Sequence, residues 1–540
     1  MLLACADASS AAETQRGYVF ADRNDNGIRD PGETGVAGVA LSNGSGVVRS
    51  DAQGRYALSI APGQTAFVIK PAGWRFPPGA DGLPAFWRHH VPHADPRRLR
   101  YGGLAPTGPL PREFDFALRE EAIPPQRRQD GLRVLVMADP QAKSEVDVDY
   151  YARDIVAPVR SGARGAQRTR QVADLGLTLG DVVDDDLSLY PALNRITAAL
   201  AVPWLHVPGN HDRDLDAVRD EDSLLGFRQV YGPDTYAWEE PEAVFVALDD
   251  VIHLPARAGP AYVGGLREEQ FAFLGHYLPT APKDRLLVLA LHVPLFDTAA
   301  PGRPETFRSA DRLRLFALLR EFPRVLVLSG HRHAQRHHFH DAADGWQGAA
   351  PLHEYNVGAA SGAFWSGAPD ADGIPDAAMA DGTPNGHARL QVGASGGYGL
   401  SWHPARRPPG DPAYTDAMAL HAPKVLRRGA YPAWGVYANV FMGHDGSRVE
   451  YRVDGGEWKP MAQVARPDPR LLAENARDDT ADTLRGYDRS PEAEPSPHLW
   501  RGPLPTGLAA GEHVVEVRAF DDWQGEQHAR TRYRLESREQ

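Results

Sequence analysis

Three patterns of apolar and polar positions divide the chain into blocks. Residues 16–125 carry short β-branched or aromatic runs bounded by Gly, Pro, Asn and Asp, and this pattern predicts a small β-sandwich. Residues 130–362 contain fully apolar runs separated by helix-like segments, which predicts an α/β layered domain whose sheet is buried on both faces. Residues 436–540 alternate at period two and predict a second β-sandwich, after a Gly-, Pro- and Asp-rich connection over residues 363–435.

The composition narrows the class of protein. The 53 glycines and 46 prolines among 540 residues indicate many turns, whereas 42% hydrophobic residues exclude disorder. A net charge of −13 argues against a nucleic-acid partner, which needs a concentrated basic face. The single cysteine, Cys5, excludes an intrachain disulfide and a cysteine-based zinc site, so the 21 histidines are the available nitrogen ligands.

Residues 1–15 form a separate tail. The segment Leu2–Cys5 resembles a bacterial lipobox, in which a small residue precedes a cysteine that becomes lipidated. This interpretation predicts an extracytoplasmic protein, periplasmic or a surface lipoprotein, if the true start includes a signal peptide. Membrane contact is then expected only through a lipid anchor on Cys5. The alternative is an ordinary start with a buried or free cysteine.

Residues 22–33 follow the spacing of a twelve-residue calcium-binding loop. Gly27 allows the sharp turn that wraps alternate oxygens round one ion, and the alternative is a solvated Asn/Asp turn. We predict a structural calcium with these ligands: Asp22, Asn24, Asn26, the backbone carbonyl of Ile28, Asp30 and Glu33. The strand-like flanks resemble the B-type repeats of bacterial surface adhesins, which implies a structural module rather than a calcium sensor.

Five short motifs, each just after an apolar run, lie within residues 130–362. They are Asp139-Pro-Gln141, Gly180-Asp181-Val-Val-Asp184, Gly209-Asn210-His211-Asp212, His292-Val-Pro294 and Gly330-His331-Arg-His333. Each alone is weak, because a histidine after a buried strand is most often a core residue and Gly-Asp is a common turn. Together at strand ends, where such folds place their chemistry, they indicate one site. Four other histidines belong to no motif and are interpreted as core or surface residues: His206, His337, His338 and His340.

The motif set resembles that of the calcineurin-like metallophosphoesterases over residues 132–362. That family carries Asp-x-His, Gly-Asp-x-x-Asp, Gly-Asn-His-Asp/Glu, His and Gly-His-x-His on a two-sheet α/β sandwich. The flanking blocks look like those of its multidomain bacterial members, so the expected fold is this core between two β-sandwich domains. The resemblance implies one metal held by Asp139, Gln141, Asp181 and His333, and a second held by Asp181, Asn210, His292 and His331, with Asp181 bridging.

The remaining roles follow from the same resemblance. His211 is implied as the catalytic residue, a proton donor or charge stabiliser for the leaving oxygen, while Asp184 and Asp212 orient neighbouring ligands. Mixed carboxylate, amide and imidazole ligands suit Mn, Fe or Zn better than Mg. Gln141 stands where many family members have histidine, and its neutral oxygen binds a metal more weakly than imidazole does. The resemblance therefore does not determine which metal occupies the first site.

The implied activity is the hydrolysis of small phosphate mono- or diesters. Two divalent ions about 3.5–4 Å apart clamp the phosphate, and a metal-bridged hydroxide attacks phosphorus while His211 assists the leaving group. The alternative is a surface-attached binding protein that uses the same scaffold. A nuclease is disfavoured by the acidic charge and by the lack of a basic, aromatic-lined groove.

The segment after the last motif is the remaining candidate for function. Residues 365–398 form a long connection, and loops of that length are usually functional or disordered. We predict that part of it walls the active-site cleft, with Trp365, Asp381 or Asn385 touching the substrate. The alternative is that it only spaces two domains.

Overall fold

The computed structural model describes residues 12–537 except 78, 80–81, 95–97, 167–171, 255–260, 300–301, 407, 409 and 432–433. The predicted lipobox at Leu2–Cys5 lies outside the described residues. Within them, no helix is both long and apolar enough to cross a membrane.

The N-terminal domain is a sandwich of two four-stranded sheets. Its strands are β1 (Glu13–Ala21), β2 (Ala40–Ser42), β3 (Val47–Arg49), β4 (Arg55–Ile60), β5 (Thr65–Val68), β6 (Trp74–Arg75), β7 (Trp87–His89) and β8 (Phe116–Glu120). The sheet orders are β4-β1-β8-β6 and β3-β2-β5-β7. Strand β4 alternates exposed and buried side chains along its length, as expected for a strand with one face on the core.

The central domain contains thirteen strands and seven α-helices among the described residues. The strands are β9 (Leu132–Met137), β10 (Leu175–Leu179), β11 (Trp204–Val207), β12 (Tyr236–Glu239), β13 (Ala243–Ala247), β14 (Val251–His253), β15 (Tyr262–Gly264), β16 (Leu286–Ala290), β17 (Val325–Ser329), β18 (Arg336–His340), β19 (Leu352–Asn356), β20 (Gly386–Val392) and β21 (Tyr398–Pro404). The helices are α1 (Pro125–Asp130), α2 (Glu145–Tyr150), α3 (Ala157–Ala166), α4 (Tyr190–Thr197), α5 (Leu225–Tyr231), α6 (Glu268–Tyr277) and α7 (Ser309–Leu319). A π-helical turn, Tyr151–Val156, joins α2 to α3, and short 3₁₀ turns cover Leu187–Leu189, Ala198–Leu200, Asp220–Asp222 and Leu278–Thr280.

Two sheets form the core of this domain. The first has the order β11-β10-β9-β20-β21 and the second β12-β13-β16-β17-β19-β18. Strands β9, β10 and β11 are parallel, as are β13, β16, β17 and β19. Val134 and Val136 of β9 share one apolar cluster with the second sheet, whereas Leu135 and Met137 join a second cluster with residues of the helical layer. The first sheet is therefore buried on both faces, as its continuous apolar runs predict.

The predicted connection over residues 363–435 contains strands of two domains. Strand β20 pairs antiparallel with β9 and β21 pairs with β20, so residues 386–404 belong to the first core sheet. The C-terminal domain begins with β22, well before residue 436. The sequence does not predict these strands because glycines, histidines and prolines interrupt the apolar pattern of the segment. Strand β20 is recognised from its pairing with β9.

The C-terminal domain is a second sandwich. Its elements are β22 (Met418–His421), β23 (Val425–Arg427), β24 (Gly435–Val440), β25 (Arg448–Val453), β26 (Lys459–Pro460), β27 (Ala462–Gln463), β28 (Arg466–Pro467), α8 (Pro469–Asp479), β29 (Pro495–Ser496), β30 (Leu499–Pro503), β31 (Gly511–Asp521) and β32 (Gly525–Glu536). The two main sheets have the orders β22-β24-β30-β27 and β23-β32-β31-β25-β26. An α/β two-sheet core between two β domains confirms the predicted fold class.

A buried ionic cluster joins the N-terminal domain to the core. The Lys70 ammonium, 1% exposed, lies 2.5 Å from a carboxylate oxygen of Glu240. The guanidinium of Arg127 lies 2.6 Å from Glu240 and 2.8 Å from Glu242. Both cations have a carboxylate partner, so their burial is compensated by paired charge.

Candidate active site

The five motifs meet at one edge of the core. Asp139 follows β9, Asp181 follows β10 and Asn210 follows β11, so the first sheet supplies three of the motif loops. His292 follows β16 and His331 follows β17 of the second sheet. Because parallel strands end at the same edge, residues more than 190 positions apart become neighbours, as when the His331 N–H donates to both Asp139 oxygens at 3.1 Å.

Many of the predicted ligands have left-handed backbone conformations. The φ angles are +48° at Asp139, +42° at Gln141, +48° at Asp181, +72° at His331 and +45° at His333. Such angles are unfavourable for residues other than glycine and persist where the surrounding structure imposes them, which is common at functional sites.

Two motif glycines are required by close approach. A Cβ on Gly180 would lie 2.5 Å from the imidazole Nδ1 of His292, and one on Gly209 would overlap the backbone nitrogen and carboxylate of Asp181. The motifs carry glycine at these positions because two ligand loops pack there without space for a methyl group.

The first predicted metal position involves Asp139, Gln141 and His333. Asp139 is fully buried, and the His333 Nε2 lies 3.7 Å from its Oδ1. The His333 Nδ1–H donates to the carbonyl of Gly362 at 2.6 Å, which leaves Nε2 facing the carboxylate. Burial, together with the negative charge of Asp181, raises the pKa of Asp139 to about 8.

The second predicted position surrounds Asp181. The Nε2 of His292 lies 3.3 Å from Asp181 Oδ2 and 3.0 Å from Asn210 Oδ1, while its Nδ1–H donates to the carbonyl of Leu179 at 2.9 Å. Ligand-type atoms of Asp181, His292 and His331 all lie within 4.8 Å of one another. Burial disfavours charge on His292, but the surrounding carboxylates outweigh it and raise its pKa to about 10, whereas burial lowers the pKa of His331 to about 3.

These side chains fit a pair of divalent metals. The buried Gln141 Oε1 has no hydrogen-bond partner among the described residues, as expected for an oxygen reserved for a cation. His292 and His333 each donate Nδ1–H to a backbone carbonyl, the arrangement that fixes the Nε2 lone pair of metal-binding histidines. The donor set of carboxylate, amide and imidazole matches transition metals rather than magnesium.

His211 lies at the rim of this cluster. Its Nδ1 is 2.8 Å from Asp185 Oδ1 and 3.2 Å from Asp184 Oδ1, and its side chain is 29% exposed. Burial alone would lower its pKa, but the hydrogen bond to Asp185 and the charges of Asp181 and Asp184 raise it to about 9. The imidazole therefore holds its proton at neutral pH.

Asp184 and Asp212 contact the ligand loops in different ways. Asp184 Oδ1 accepts from the Gln141 amide at 3.3 Å as well as facing His211. The fully buried carboxylate of Asp212 accepts from the backbone N–H of Gly209 at 2.8 Å and of Val182 at 3.1 Å. Asp212 therefore holds together the loops that carry Asp181 and Asn210.

Four neighbours of the site were missed by the sequence reasoning. Asp185 pairs with His211, and the wholly buried Asp250 accepts from the His292 N–H at 3.1 Å. Asp185 comes directly after the second motif, and Asp250 comes just after an apolar run. Their positions at strand ends are a sequence signal that could have identified both. Tyr262, whose OH is 3.4 Å from His331 Nε2, and Phe364, whose ring centroid is 4.7 Å from that of His333, carry no such signal.

The structure places the predicted substrate contacts, Trp365, Asp381 and Asn385, in the protein interior. All three side chains are at least 97% buried. Trp365 Nε1–H donates to the carbonyl of Pro140, and the Asn385 amide donates to Asp154 at 2.8 Å. Asp381 accepts from His498 of the C-terminal domain at 3.0 Å. These hydrogen bonds hold the three side chains in the protein interior, and Trp365 contacts the first motif loop through Pro140.

The predicted calcium loop closes on itself through its side chains. The Asp22 Oδ2 accepts from the Gly27 N–H at 2.8 Å, and the amides of Asn24 and Asn26 donate to Asp30 Oδ2 at 2.7 and 2.8 Å. Glu33 accepts from backbone N–H groups at both ends of the turn. Ile28 is 66% exposed. Calcium binding here stays a prediction.

Three family models match the chain in order. Residues 23–102 match the N-terminal domain of calcineurin-like phosphoesterases, residues 132–335 the calcineurin-like phosphoesterase domain itself, and residues 354–527 the C-terminal domain of these proteins. The first match covers the segment that resembles adhesin repeats, and the third begins before the end predicted for the core.

Individual relatives are distant. A protein named a probable cyclic nucleotide phosphodiesterase, from Rhodopseudomonas palustris, is 29% identical over 160 residues, 29% of this chain and 53% of that protein. This chain thus spans about half the length of that relative. The purple acid phosphatase PPD1 of yellow lupin (Lupinus luteus) seeds is 12% identical, with 73% of this chain and 67% of that one covered at a TM-score of 0.36. The protein TT1561 of Thermus thermophilus is 15% identical, with coverages of 42% and 89% at a TM-score of 0.25.

The family matches agree with the position of the site. The central match contains the motif loops, and ligand-type atoms of Asp181, His292 and His331 cluster there. The chain therefore belongs to the calcineurin-like phosphoesterase family.

Proposed function

We propose that the protein is a dinuclear-metal hydrolase of small phosphate esters and that phosphodiesters are its preferred substrates. The observation that carries the proposal is that five strand-end loops bring the seven predicted donor side chains to one edge of the core, where the buried Gln141 Oε1 has no hydrogen-bond partner among the described residues. The diester preference rests on the name of the Rhodopseudomonas palustris relative.

The residues that hold the two metals are those implied by the motifs. One set is Asp139, Gln141, Asp181 and His333, and the other is Asp181, Asn210, His292 and His331. When bound, two such ions neutralise phosphoryl charge and activate water near neutral pH. The fixed Nδ1–H bonds of His292 and His333 orient both imidazoles before any ligand arrives, so little reorganisation is needed.

His211 supplies the proton for the departing oxygen. Its Nδ1 is held by Asp185 and Asp184, and among the described residues its Nε2 has no hydrogen bond. Nε2–H is therefore the group that faces a ligand, and the carboxylates that raise the pKa of His211 keep it protonated. Proton donation of this kind accelerates the loss of poor leaving groups.

An exposed aromatic ring beside the site supports a nucleotide-like substrate. Phe364 is 45% exposed, and its ring packs against His333 at 31° between the planes. A base can stack on an exposed aromatic face, and such stacking tolerates any base. We therefore place cyclic nucleotides first among the diesters to be tested.

The test is a substrate panel on one metal-reconstituted preparation. Cyclic AMP, bis(p-nitrophenyl) phosphate and p-nitrophenyl phosphate are assayed with Mn²⁺ or Zn²⁺, and metal content is measured on the same sample. The matched control is Asp181→Asn, which should lose both metals and all turnover because the bridging charge is removed. Faster turnover of the monoester than of either diester would refute the diester preference. No turnover of any ester with two metals bound would refute the hydrolase and favour the scaffold-type binding protein.

A further inference from the structure

A second cluster of metal-binding side chains lies on β18 and the turn that follows it. His338 and His340 are two positions apart on β18, the edge strand of the second sheet, so they share one face. Asp344 lies in the turn between β18 and β19, where its N–H donates to the carbonyl of Asp341. The cluster contains none of the residues assigned to the dinuclear site.

The donor atoms have the spacing of a metal site. The Nε2 of His338 lies 3.0 Å and the Nδ1 of His340 lies 3.4 Å from the Oδ2 of Asp344, and all three atoms lie within 4.8 Å of one another. Tetrahedral zinc with bonds of 2.0–2.1 Å places its ligand atoms about 3.3 Å apart. Two of the three separations match that value, so an ion needs little movement of the side chains.

The orientation of His340 is fixed by a buried carboxylate. Its Nε2 lies 2.7 Å from Glu354 Oε2, and both side chains are fully buried. The other oxygen of Glu354 accepts from the Ser329 hydroxyl at 2.8 Å and from the Leu295 N–H at 2.9 Å. Because Nε2 donates to Glu354, the lone pair of Nδ1 faces the carboxylate of Asp344.

That lone pair has no partner of its own. The buried Nδ1 of His340 makes no hydrogen bond to any residue that the structure describes. An imidazole lone pair and a carboxylate oxygen that face each other repel unless a cation lies between them. A carboxylate behind a histidine, with the histidine's other nitrogen directed at a second carboxylate, is the arrangement found at protein metal sites.

We propose that His338, His340 and Asp344 bind a third divalent transition-metal ion, of the zinc type. Two imidazoles and one carboxylate favour zinc over calcium or magnesium, which prefer oxygen ligands alone. The His338 and Asp344 side chains are 24% and 31% exposed, so solvent reaches the ion and supplies the fourth ligand. The ion links β18 to the turn before β19, and the proposal does not depend on phosphoester hydrolysis.

The test counts zinc in the full-length protein. Parent protein equilibrated with micromolar free zinc and passed over a desalting column is expected to retain one more zinc per chain than either His338→Ala or Asp344→Ala. Substitution with Co²⁺ gives a second readout, since the tetrahedral d–d absorption of this site should be missing from both variants. Glu354→Gln, which keeps the shape of the side chain, should weaken zinc binding about 10- to 100-fold.

The matched controls are His444→Ala and Asp522→Ala. His444 Nε2 lies 3.1 Å from Asp522 Oδ2, so this pair has the same His–carboxylate contact but belongs to no three-ligand cluster of the described residues. Both controls should keep the parent's zinc content. The proposal is overturned if the parent and the two site variants retain equal zinc, or if the controls lose as much. Phosphoester turnover is measured in parallel, so a protein without turnover that still loses one zinc in the site variants supports the third site alone.

Discussion

Replacing Gly180 with alanine tests whether the packing of the two ligand loops sets the reaction rate. The new Cβ would lie 2.5 Å from His292 Nδ1 and 2.9 Å from the Gly209 Cα. Ordinary contact needs about 3.4 Å, so either the imidazole or the neighbouring loop must move by roughly 0.9 Å, and displacements of about 1 Å typically cost about 10²-fold in rate. The Gly180 φ of +83° adds about 1–2 kcal/mol of backbone strain for any residue with a side chain.

The control separates strain from displacement. Gly63 has nearly the same φ, +84°, and a Cβ there would meet nothing within 4 Å. Gly63→Ala should lose about 1–2 kcal/mol of stability from the same backbone strain but keep its rate and metal content. Gly180→Ala should also lose about 10²-fold in kcat on bis(p-nitrophenyl) phosphate. The reasoning is refuted if Gly180→Ala keeps the parent rate, or if Gly63→Ala loses activity to the same degree.

Four further outcomes are expected. His211→Ala should keep both metals and lose about 10²–10⁴-fold in rate on poor leaving groups but less on p-nitrophenolate, and an equal loss on both would exclude the acid role. Asn385→Ala should lower the unfolding free energy by about 1–3 kcal/mol, because the buried Asp154 carboxylate loses a hydrogen-bond donor. Substrate preference should stay the same, and a changed preference would contradict the burial of Asn385. Calcium should raise the melting temperature of the parent but not of Glu33→Gln if the loop binds the ion. Burial opposes ionisation of Glu240, but the charges of Lys70 and a neighbouring arginine outweigh burial and lower the pKa of Glu240 below the usual 4.5. The ionised carboxylate therefore stabilises the fold above pH 4.5, and this stabilisation is lost on acidification. The difference in unfolding free energy between the parent and Glu240→Gln, measured in urea, should shrink below that pH.

The site motifs could be predicted because strand topology turns sequence order into proximity. Each apolar run that reads as a buried parallel strand places its next polar residue at one edge, which is how Asp139 and His331 become neighbours across the chain. Asp250 also follows an apolar strand, but it belongs to no motif, so the motifs did not predict it. Family resemblance supplied the roles, and local pattern supplied the positions.

The features of the site that could not be predicted from the sequence depend on long-range contacts. The left-handed backbone at Gln141 and His333 has no local signature, because the loops are held there by other strands. Trp365 and Asn385 looked like ligand contacts in a polar, aromatic segment, but the segment turns them inward. His340 was interpreted as a core or surface residue. It is buried, and the hydrogen bond from its other nitrogen to Glu354 could be seen only in the folded structure.

The late insertion of β20 beside β9 has a consequence for how the chain is made. The two paired strands are about 250 residues apart, so β9 leaves the ribosome long before its partner exists. Until then β9 is the open edge of a short parallel sheet, and exposed apolar edges invite association with other chains. Loop closure over such a distance is slow relative to local pairing, so the nascent protein must shield this edge for nearly half of its synthesis. A chaperone that binds extended apolar strands should therefore associate with translation intermediates that stop before residue 386, and release those that extend past residue 404.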